Sequence, residues 1–199
     1  MLGKGAIVLY PTDTLYGLGV DATNPEAVLR LKKLKGRPVS AGLRRGEGRA
    51  KPISIMVADM AMAEKYAVVT PLAKKLAEKL LPGKLTIVLD AKSTLPEELT
   101  AGTGTVGIRI PNHPIALQLV REFGKPITAT SANVSDMPPE RSPEKILAQF
   151  GKRADLIYQI IDAGELPESL PSTVVDARGE APKIIRESAI SKEKILSMA

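Results

Sequence analysis

Short apolar segments alternate with amphipathic segments along nearly the whole chain, and this alternation limits the available folds more than any other feature. Residues 6–9 (AIVL), 85–89 (LTIVL) and 106–110 (VGIRI) have the length and β-branched content of buried strands. Helical patterns lie between such segments, as at residues 71–80, where leucines recur on one face. Interleaved strands and helices predict an α/β fold with a mixed, twisted sheet flanked by helices.

The remaining elements follow from capping and strand signals. Asn24 is a good N-cap and Pro25 suits a first turn, so they predict a helix that ends at Gly36. Further strands are predicted at 53–57, 127–129, 156–161, 173–175 and 183–185, with further helices at 113–122 and after Ser142 and Ser191. The sequence contains no internal repeat and no convincing linker. We therefore expect one domain over residues 1–199.

Composition excludes several classes of site. The 199 residues include no cysteine and one histidine, which excludes disulfides, a thiol nucleophile and Cys- or multi-His zinc sites. Aromatic residues make up only 3%, which argues against base stacking on aromatic platforms. No apolar run approaches the roughly 18 residues of a membrane span. Without a signal peptide pattern, we expect a cytoplasmic protein.

Polar residues follow the predicted strands at several points. The strand at 6–9 runs into YPTDTLYGLG, the strand at 127–129 is followed by Ser131 and Asn133, and Ser172 precedes the strand at 173–175. In open α/β sheets, ligand groups collect at strand ends. Ordinary turns and an edge strand are the alternative interpretation. Asp13, within YPTDTLYGLG, either caps the turn or orients a site.

Basic residues are the second component of this polar region. The net charge is +6, which favours anionic partners but also fits an ordinary solvated surface. Arg109 lies inside an apolar strand, where a charge must be paired or face a cavity. Together, the cations predict one large basic concave cavity lined by Lys35, Arg37, Lys51, Arg109 and Arg186. Such a cavity suits a ligand with phosphates and a carboxylate.

Two other patterns carry less weight. The glycines at 102–107 match G-x-G-x-x-G, but they precede a strand instead of following one, so a plain turn is the better interpretation. His113 stands between two prolines at a helix start, which favours a structural or capping role.

Seven motifs resemble those of the YrdC-like family, the threonylcarbamoyl-adenylate synthases. In order they are YPTDTLYGLG, KGRP, KPISIMV, PGKLTIVL, GIRIPNHP, TSANVS and STVVD, and they extend over residues 5–186. The resemblance implies a nucleotidyltransferase that condenses L-threonine, bicarbonate and ATP into threonylcarbamoyl-AMP and pyrophosphate. It also implies Mg²⁺ with the triphosphate, and a downstream complex that transfers the threonylcarbamoyl group to tRNA.

The resemblance also implies roles for individual residues. Lys35 and Arg37 would be catalytic and grip the ATP phosphates. The implied ATP-binding set is Lys35, Arg37, Lys51, Ser131, Asn133 and Arg186. The implied threonine-binding set is Thr14, Arg109, Ala129 and Ser172, with Arg109 on the threonine carboxylate. No residue is assigned as a metal ligand.

This chain departs from the family pattern at two places. Residues 38–50 form a longer, Arg-rich stretch, which we predict to be a loop that folds over the triphosphate. Met56 stands where many relatives carry histidine. The alternative function is a non-catalytic module for tRNA or double-stranded RNA. A third reading, the carbamoyl-phosphate-using domain of hydrogenase maturation proteins, fits poorly because those longer chains carry zinc-finger motifs.

Overall fold

The computed structural model describes residues 1–37 and 51–199. The basic loop predicted at 38–50, with its predicted role as a lid, lies outside the described residues. No helix in the described residues is long and apolar enough to cross a membrane.

Ten strands and seven α-helices occur in the described residues. The strands are β1 (Ile7–Tyr10), β2 (Gly17–Gly19), β3 (Ser54–Met56), β4 (Ala67–Val68), β5 (Leu85–Ala91), β6 (Thr105–Arg109), β7 (Ile127–Ser131), β8 (Ile157–Ile160), β9 (Thr173–Asp176) and β10 (Lys183–Arg186). The helices are α1 (Pro25–Lys35), α2 (Met60–Tyr66), α3 (Pro71–Leu80), α4 (Glu97–Thr100), α5 (Pro114–Phe123), α6 (Pro143–Phe150) and α7 (Lys192–Met198). Short 3₁₀ helices occupy Leu2–Lys4 and Gly151–Leu156.

The strands form one mixed sheet in the order β10-β9-β5-β6-β3-β7-β2-β1-β8, with β4 paired to β5. Three pairs are parallel, namely β1 with β8, β3 with β6, and β5 with β9. The ends of β3 and β6 coincide, since Met56 is in register with Arg109. The start of β5 lies beside the start of β9, where Leu85 pairs with Thr173. This register brings together the polar residues at the ends of four strands.

The predicted elements are present, with boundaries shifted by one or two residues. Asn24 caps α1 through its side chain, which accepts from the Ala27 N–H at 3.1 Å, and Gly36 ends the helix at φ +69°. Gly102 and Gly104 form a turn before β6, as expected, and Gly107 lies within that strand. The prediction missed β2, β4, α2 and α4 because these elements are short, and β2 contains two glycines, which strands disfavour.

The sheet is covered on both faces. Ile7 and Leu9 of β1 belong to the larger core cluster, whereas Val8 and Tyr10 belong to a smaller one that includes Ala116 of α5. Successive residues of a strand point to opposite faces, so β1 contributes to both cores. A strand buried on both faces reads as a continuous apolar run, which explains the AIVL segment.

Glycine is required in β2 because the Tyr10 ring lies against it. A Cβ at Gly19 would come within 2.6 Å of the Ile127 Cγ2 and 2.9 Å of the Tyr10 Cε1. Both neighbours are fully buried, and the Tyr10 hydroxyl donates to the Thr128 carbonyl at 3.0 Å. Neither neighbour therefore has room to move away.

Gly19→Ala is expected to lower the free energy of unfolding by about 1–3 kcal/mol through overpacking. Urea denaturation measures this loss. Gly179→Ala is the matched control, since no atom lies within 4 Å of a Cβ at Gly179. Equal stability of the two variants would contradict the packing described for Tyr10.

Candidate active site

A cavity of about 250 Å³ opens where β3, β5, β6, β7 and β9 meet the segment after β1. Seven of the residues predicted for the site line it: Thr14, Arg37, Arg109, Ala129, Ser131, Ser172 and Arg186. Three guanidinium groups therefore reach a single cavity, together with several hydroxyl groups. Lys35, Lys51 and Asn133 do not line it.

Arg109 is fixed by two residues of the YPTDTLYGLG segment. Its Nη2 donates to the Asp13 Oδ1 at 2.7 Å and to the Thr14 Oγ1 at 2.6 Å. Thr12 orders this segment, since its hydroxyl donates to the Leu15 carbonyl at 2.6 Å and accepts from the Thr14 N–H at 3.1 Å. The hydroxyls after β1 therefore form a compact turn that presents Thr14 to the cavity.

Arg186 also lines the cavity, next to Ser172. Its Nη2 donates to the Ser172 carbonyl at 2.8 Å. The Ser172 hydroxyl lies 2.8 Å from the Thr86 hydroxyl, and both residues are buried. Burial lowers the pKa of Arg186, and the positive charge of Arg109 lowers it further. The two guanidinium groups therefore repel each other, and a bound anion would relieve this repulsion.

Lys35 is fully buried at the end of α1 and is surrounded by oxygen atoms. Its Nζ donates to the Ser131 carbonyl at 2.5 Å, the Asn133 carbonyl at 2.7 Å and the Asn133 Oδ1 at 3.2 Å. An ammonium has three hydrogens, so these acceptors use all of them. Burial lowers the pKa of Lys35 to about 7, and the charge of Arg37 acts in the same direction. Lys35 thus joins α1 to the turn at residues 131–133.

The other two cations of the KGRP and KPISIMV motifs differ in exposure. Arg37 lines the cavity, and its Nε donates to the Ser135 hydroxyl at 3.1 Å. Burial lowers the pKa of Arg37, while Asp136 opposes this change. The Lys51 side chain is 76% exposed and pairs with Asp136 at 3.5 Å, away from the cavity lining. An exposed pair of this kind contributes little to stability.

Several residues that line the cavity were not predicted from the sequence: Tyr10, Thr12, Tyr16, Ser54, Thr86 and Pro111. Thr86 could have been found by the signal that identified Arg109, a polar residue inside an apolar strand. Nothing in the sequence distinguishes Tyr16 from an aromatic residue of the core. The Tyr16 hydroxyl donates to the Gly164 carbonyl at 2.8 Å and accepts from the Ala163 N–H at 2.9 Å, which ties a distant loop to the site.

The single histidine lies at the start of a helix, as expected. His113 occupies the N-cap position of α5, but its side chain makes no capping hydrogen bond, so the capping interpretation is wrong. In residues 1–37 and 51–199, no group of three or more His, Cys, Asp or Glu side chains could hold a metal ion.

The chain belongs to the Sua5/YciO/YrdC family. The model of that family, which is described as "Telomere recombination", matches residues 1–188. The expected family is therefore confirmed, and the mixed α/β fold with a twisted sheet agrees with solved structures of its members.

Two relatives and one solved structure are similar to this chain over nearly its whole length. The chain is 36% identical to "Threonylcarbamoyl-AMP synthase" of Bacillus subtilis, over 98% of this chain and 53% of the relative. It is 35% identical to "Putative threonylcarbamoyl-AMP synthase" of Mycobacterium tuberculosis, over 96% of this chain and 82% of the relative. The crystal structure of P. abyssi Sua5 complexed with L-threonine has a TM-score of 0.87 and 34% identity, over 99% of this chain and 54% of that one. The chain thus spans about half the length of the B. subtilis and P. abyssi proteins.

Proposed function

We propose that the protein is an L-threonylcarbamoyladenylate synthase, which condenses L-threonine, bicarbonate and ATP into threonylcarbamoyl-AMP and pyrophosphate. The observation that carries this proposal is the convergence of Arg37, Arg109 and Arg186 on one cavity that also presents hydroxyl groups. Guanidinium groups bind carboxylates and phosphates through paired hydrogen bonds. The names of the B. subtilis and M. tuberculosis relatives support the same reaction.

The amino acid would bind at the Arg109 side of the cavity. Arg109 would take the carboxylate, while Thr14, Ser172 and the main chain near Ala129 would complete the contacts. The structure of the P. abyssi protein complexed with L-threonine supports the proposal that an amino acid is a ligand of this cavity. Met56 lines the same cavity and offers an apolar surface to the substrate.

ATP would bind toward Arg37 and the turn at residues 131–133. We assign the phosphates to Arg37, Ser131 and Asn133, the nucleotide to Arg186, and an outer phosphate to Lys51 once it leaves Asp136. Lys35 has no free hydrogen in the structure, so it would act through its charge and by holding the turn, unless a phosphate displaces one acceptor. Arg37 remains the catalytic cation of this pair.

The reaction needs positioning and charge neutralisation more than an acid–base pair. The threonine amine adds to carbon dioxide formed from bicarbonate, and the lost proton goes to solvent. One carbamate oxygen then bonds to the α-phosphorus of ATP as the bond to pyrophosphate breaks. Cations fixed in advance stabilise the charge that develops on the phosphates. Holding carbamate and ATP together supplies the rest of the rate enhancement.

Mg²⁺ would enter with the triphosphate as part of the substrate. Magnesium keeps several waters and is usually held by phosphate oxygens with few protein ligands. The described residues fit this role, because Asp13, a carboxylate beside the cavity, is already paired with Arg109, and Asp136 is paired with Lys51. The expected partners are therefore L-threonine, bicarbonate and Mg-ATP.

The product is a reactive mixed anhydride, so a second catalyst must consume it. We propose transfer of the threonylcarbamoyl group to tRNA by a separate transferase complex. Direct binding of tRNA or double-stranded RNA by this chain belongs to the alternative, non-catalytic function. The named relatives favour the synthase over that alternative.

An exchange assay tests the proposal. The purified protein with ATP, Mg²⁺ and labelled pyrophosphate is expected to form labelled ATP only when both L-threonine and bicarbonate are present. Serine and valine serve as amino-acid controls. No exchange with all substrates present, together with tight tRNA binding, would favour the RNA-binding alternative.

A further inference from the structure

The Arg109 guanidinium is held from one side by a buried carboxylate. The distance from the Arg109 Nη2 to the Asp13 Oδ1 is 2.7 Å, and the two side chains are 14% and 9% exposed, respectively. The Thr14 Oγ1 lies 2.6 Å from the same nitrogen. Because each Nη carries two hydrogens, Asp13 and Thr14 use both. These two contacts therefore fix the orientation of the Arg109 guanidinium.

The Nη1 of Arg109 is the donor that a ligand can reach, because Nη2 is occupied by Asp13 and Thr14, and Nη1 has no hydrogen-bond partner among the described residues and is not buried. The Arg109 Nε is buried and has no hydrogen-bond partner among the described residues. A buried donor without an acceptor is costly, so the free protein carries an unmet demand for an oxygen atom at this point. Because neighbouring atoms cover the Nε, a substrate carboxylate would contact the guanidinium at Nη1.

Asp13 faces Arg109 and not the substrate. It is not among the residues that line the cavity, and its Oδ2 is buried with no hydrogen-bond partner among residues 1–37 and 51–199. Burial lowers the pKa of His113 even though the Asp13 carboxylate opposes this change, so that imidazole is neutral near pH 7. Arg109 is consequently the cation that pairs with this carboxylate.

We infer that Asp13 is a positioning residue for the amino-acid end of the cavity, an inference that rests on the proposed function. Asp13 fixes one edge of the Arg109 guanidinium and thereby directs its Nη1 at the substrate carboxylate. It also neutralises Arg109 in the free protein.

This arrangement predicts that lysine cannot replace arginine at position 109. A planar guanidinium bonds to Asp13 with one nitrogen and to a ligand with another, whereas a lysine ammonium is a single point charge. In an Arg109→Lys variant, Asp13 would capture the ammonium and leave nothing for the substrate. Removing the carboxylate of Asp13 should then free that ammonium.

The inference therefore predicts opposite effects of removing the Asp13 carboxylate in two backgrounds. In the native background, Asp13→Ala is expected to raise the KM for L-threonine roughly 10-fold or more, while the KM for ATP stays within about twofold, because only the guanidinium loses its support. In the Arg109→Lys background, Asp13→Asn is expected to lower the KM for L-threonine about 3-fold or more, since the competing carboxylate is gone. A purely structural role for Asp13 would give losses in both backgrounds.

Asp21→Asn is the matched control, because Asp21 is equally buried and pairs with Lys125 at 3.7 Å outside the cavity. It is expected to leave the KM for L-threonine within about twofold. Asp13→Asn in the native background keeps an acceptor for Arg109 and should fold even if Asp13→Ala does not. Its KM for L-threonine should lie between those of native protein and Asp13→Ala.

The possible outcomes separate the inference from the proposed function. Equal losses for L-threonine and ATP, or a loss from Asp13→Asn in the Arg109→Lys background, would overturn the positioning role. If native protein binds no L-threonine by calorimetry, the proposed function fails. In that case, crystal structures of Asp13→Asn and Asp13→Ala test the inference independently of the proposed function. A displaced Arg109 guanidinium in Asp13→Ala supports it, and an unmoved one refutes it.

Discussion

Replacing Arg109 with methionine is expected to abolish threonine-dependent pyrophosphate exchange. The substitution removes the Arg109 guanidinium to which the substrate carboxylate is assigned; hydrogen bonds to charged groups are worth about 1.5–3 kcal/mol each, so losing one or two of them should lower kcat/KM for threonine by a factor of about 10–10⁴. ATP binding should change much less, because the phosphates are assigned to Arg37 and its neighbours. Steady-state exchange rates over a range of threonine concentrations measure the effect.

Two further variants exclude simpler explanations for a loss in Arg109→Met. The variant leaves the Asp13 carboxylate buried without its cation, which destabilises proteins by about 3–5 kcal/mol, so the Asp13→Asn and Arg109→Met double variant restores the fold but not the activity. Arg178→Met is the matched control, because Arg178 is a surface arginine paired with Asp90 and Asp176. Native kcat/KM for threonine in Arg109→Met would contradict the assignment of the carboxylate site.

Lys35→Met is expected to lower the free energy of unfolding by about 1–3 kcal/mol, because the Asn133 carbonyl loses its donor, while the Ser131 carbonyl and the Asn133 Oδ1 keep only the Asn133 N–H and the Ser131 hydroxyl. Methionine has similar length and removes only the ammonium. Thermal and urea denaturation measure the loss of stability. Hydrogen exchange of the amides at residues 131–135 should accelerate in the same variant without any ligand, since the turn loses its link to α1.

Lys33→Met provides the comparison for this experiment. Lys33 lies two residues earlier on the same helix and is exposed. Its replacement should change the free energy of unfolding by less than about 0.5 kcal/mol. If Lys35→Met matched Lys33→Met in stability and in exchange, Lys35 would not hold the turn, and direct contact with phosphate would be its better role.

Local signals in the sequence predicted most elements of the fold. Asn24 and Gly36 mark the ends of α1 through capping geometry that involves only neighbouring residues. The apolar run of β1 predicted a strand buried on both faces. Strand β2 could not be predicted in this way, because it forms through its neighbours β1 and β7 and through the fit of Tyr10 against Gly19.

The sequence predicted which kinds of residue line the cavity, but not which of them bond to each other. Arg109 stood out as a charge in an apolar strand, but its partner Asp13 lies 96 residues away in the chain. The family resemblance implies that Lys35 grips phosphate. Its three internal acceptors lie about as far away in sequence, and only the packed structure brings them to it. Pairings over such distances depend on tertiary structure, which local patterns do not specify.

The central claim is that one cavity joins threonine, bicarbonate and ATP. Mass spectrometry of the reaction with ¹³C-bicarbonate tests it most directly, with the product quenched within seconds because the mixed anhydride hydrolyses. We expect an adenylate that contains threonine and the ¹³C label, formed together with pyrophosphate and missing when any one substrate is omitted. ATP consumption without labelled adenylate, or no consumption at all with native folded protein, would contradict it.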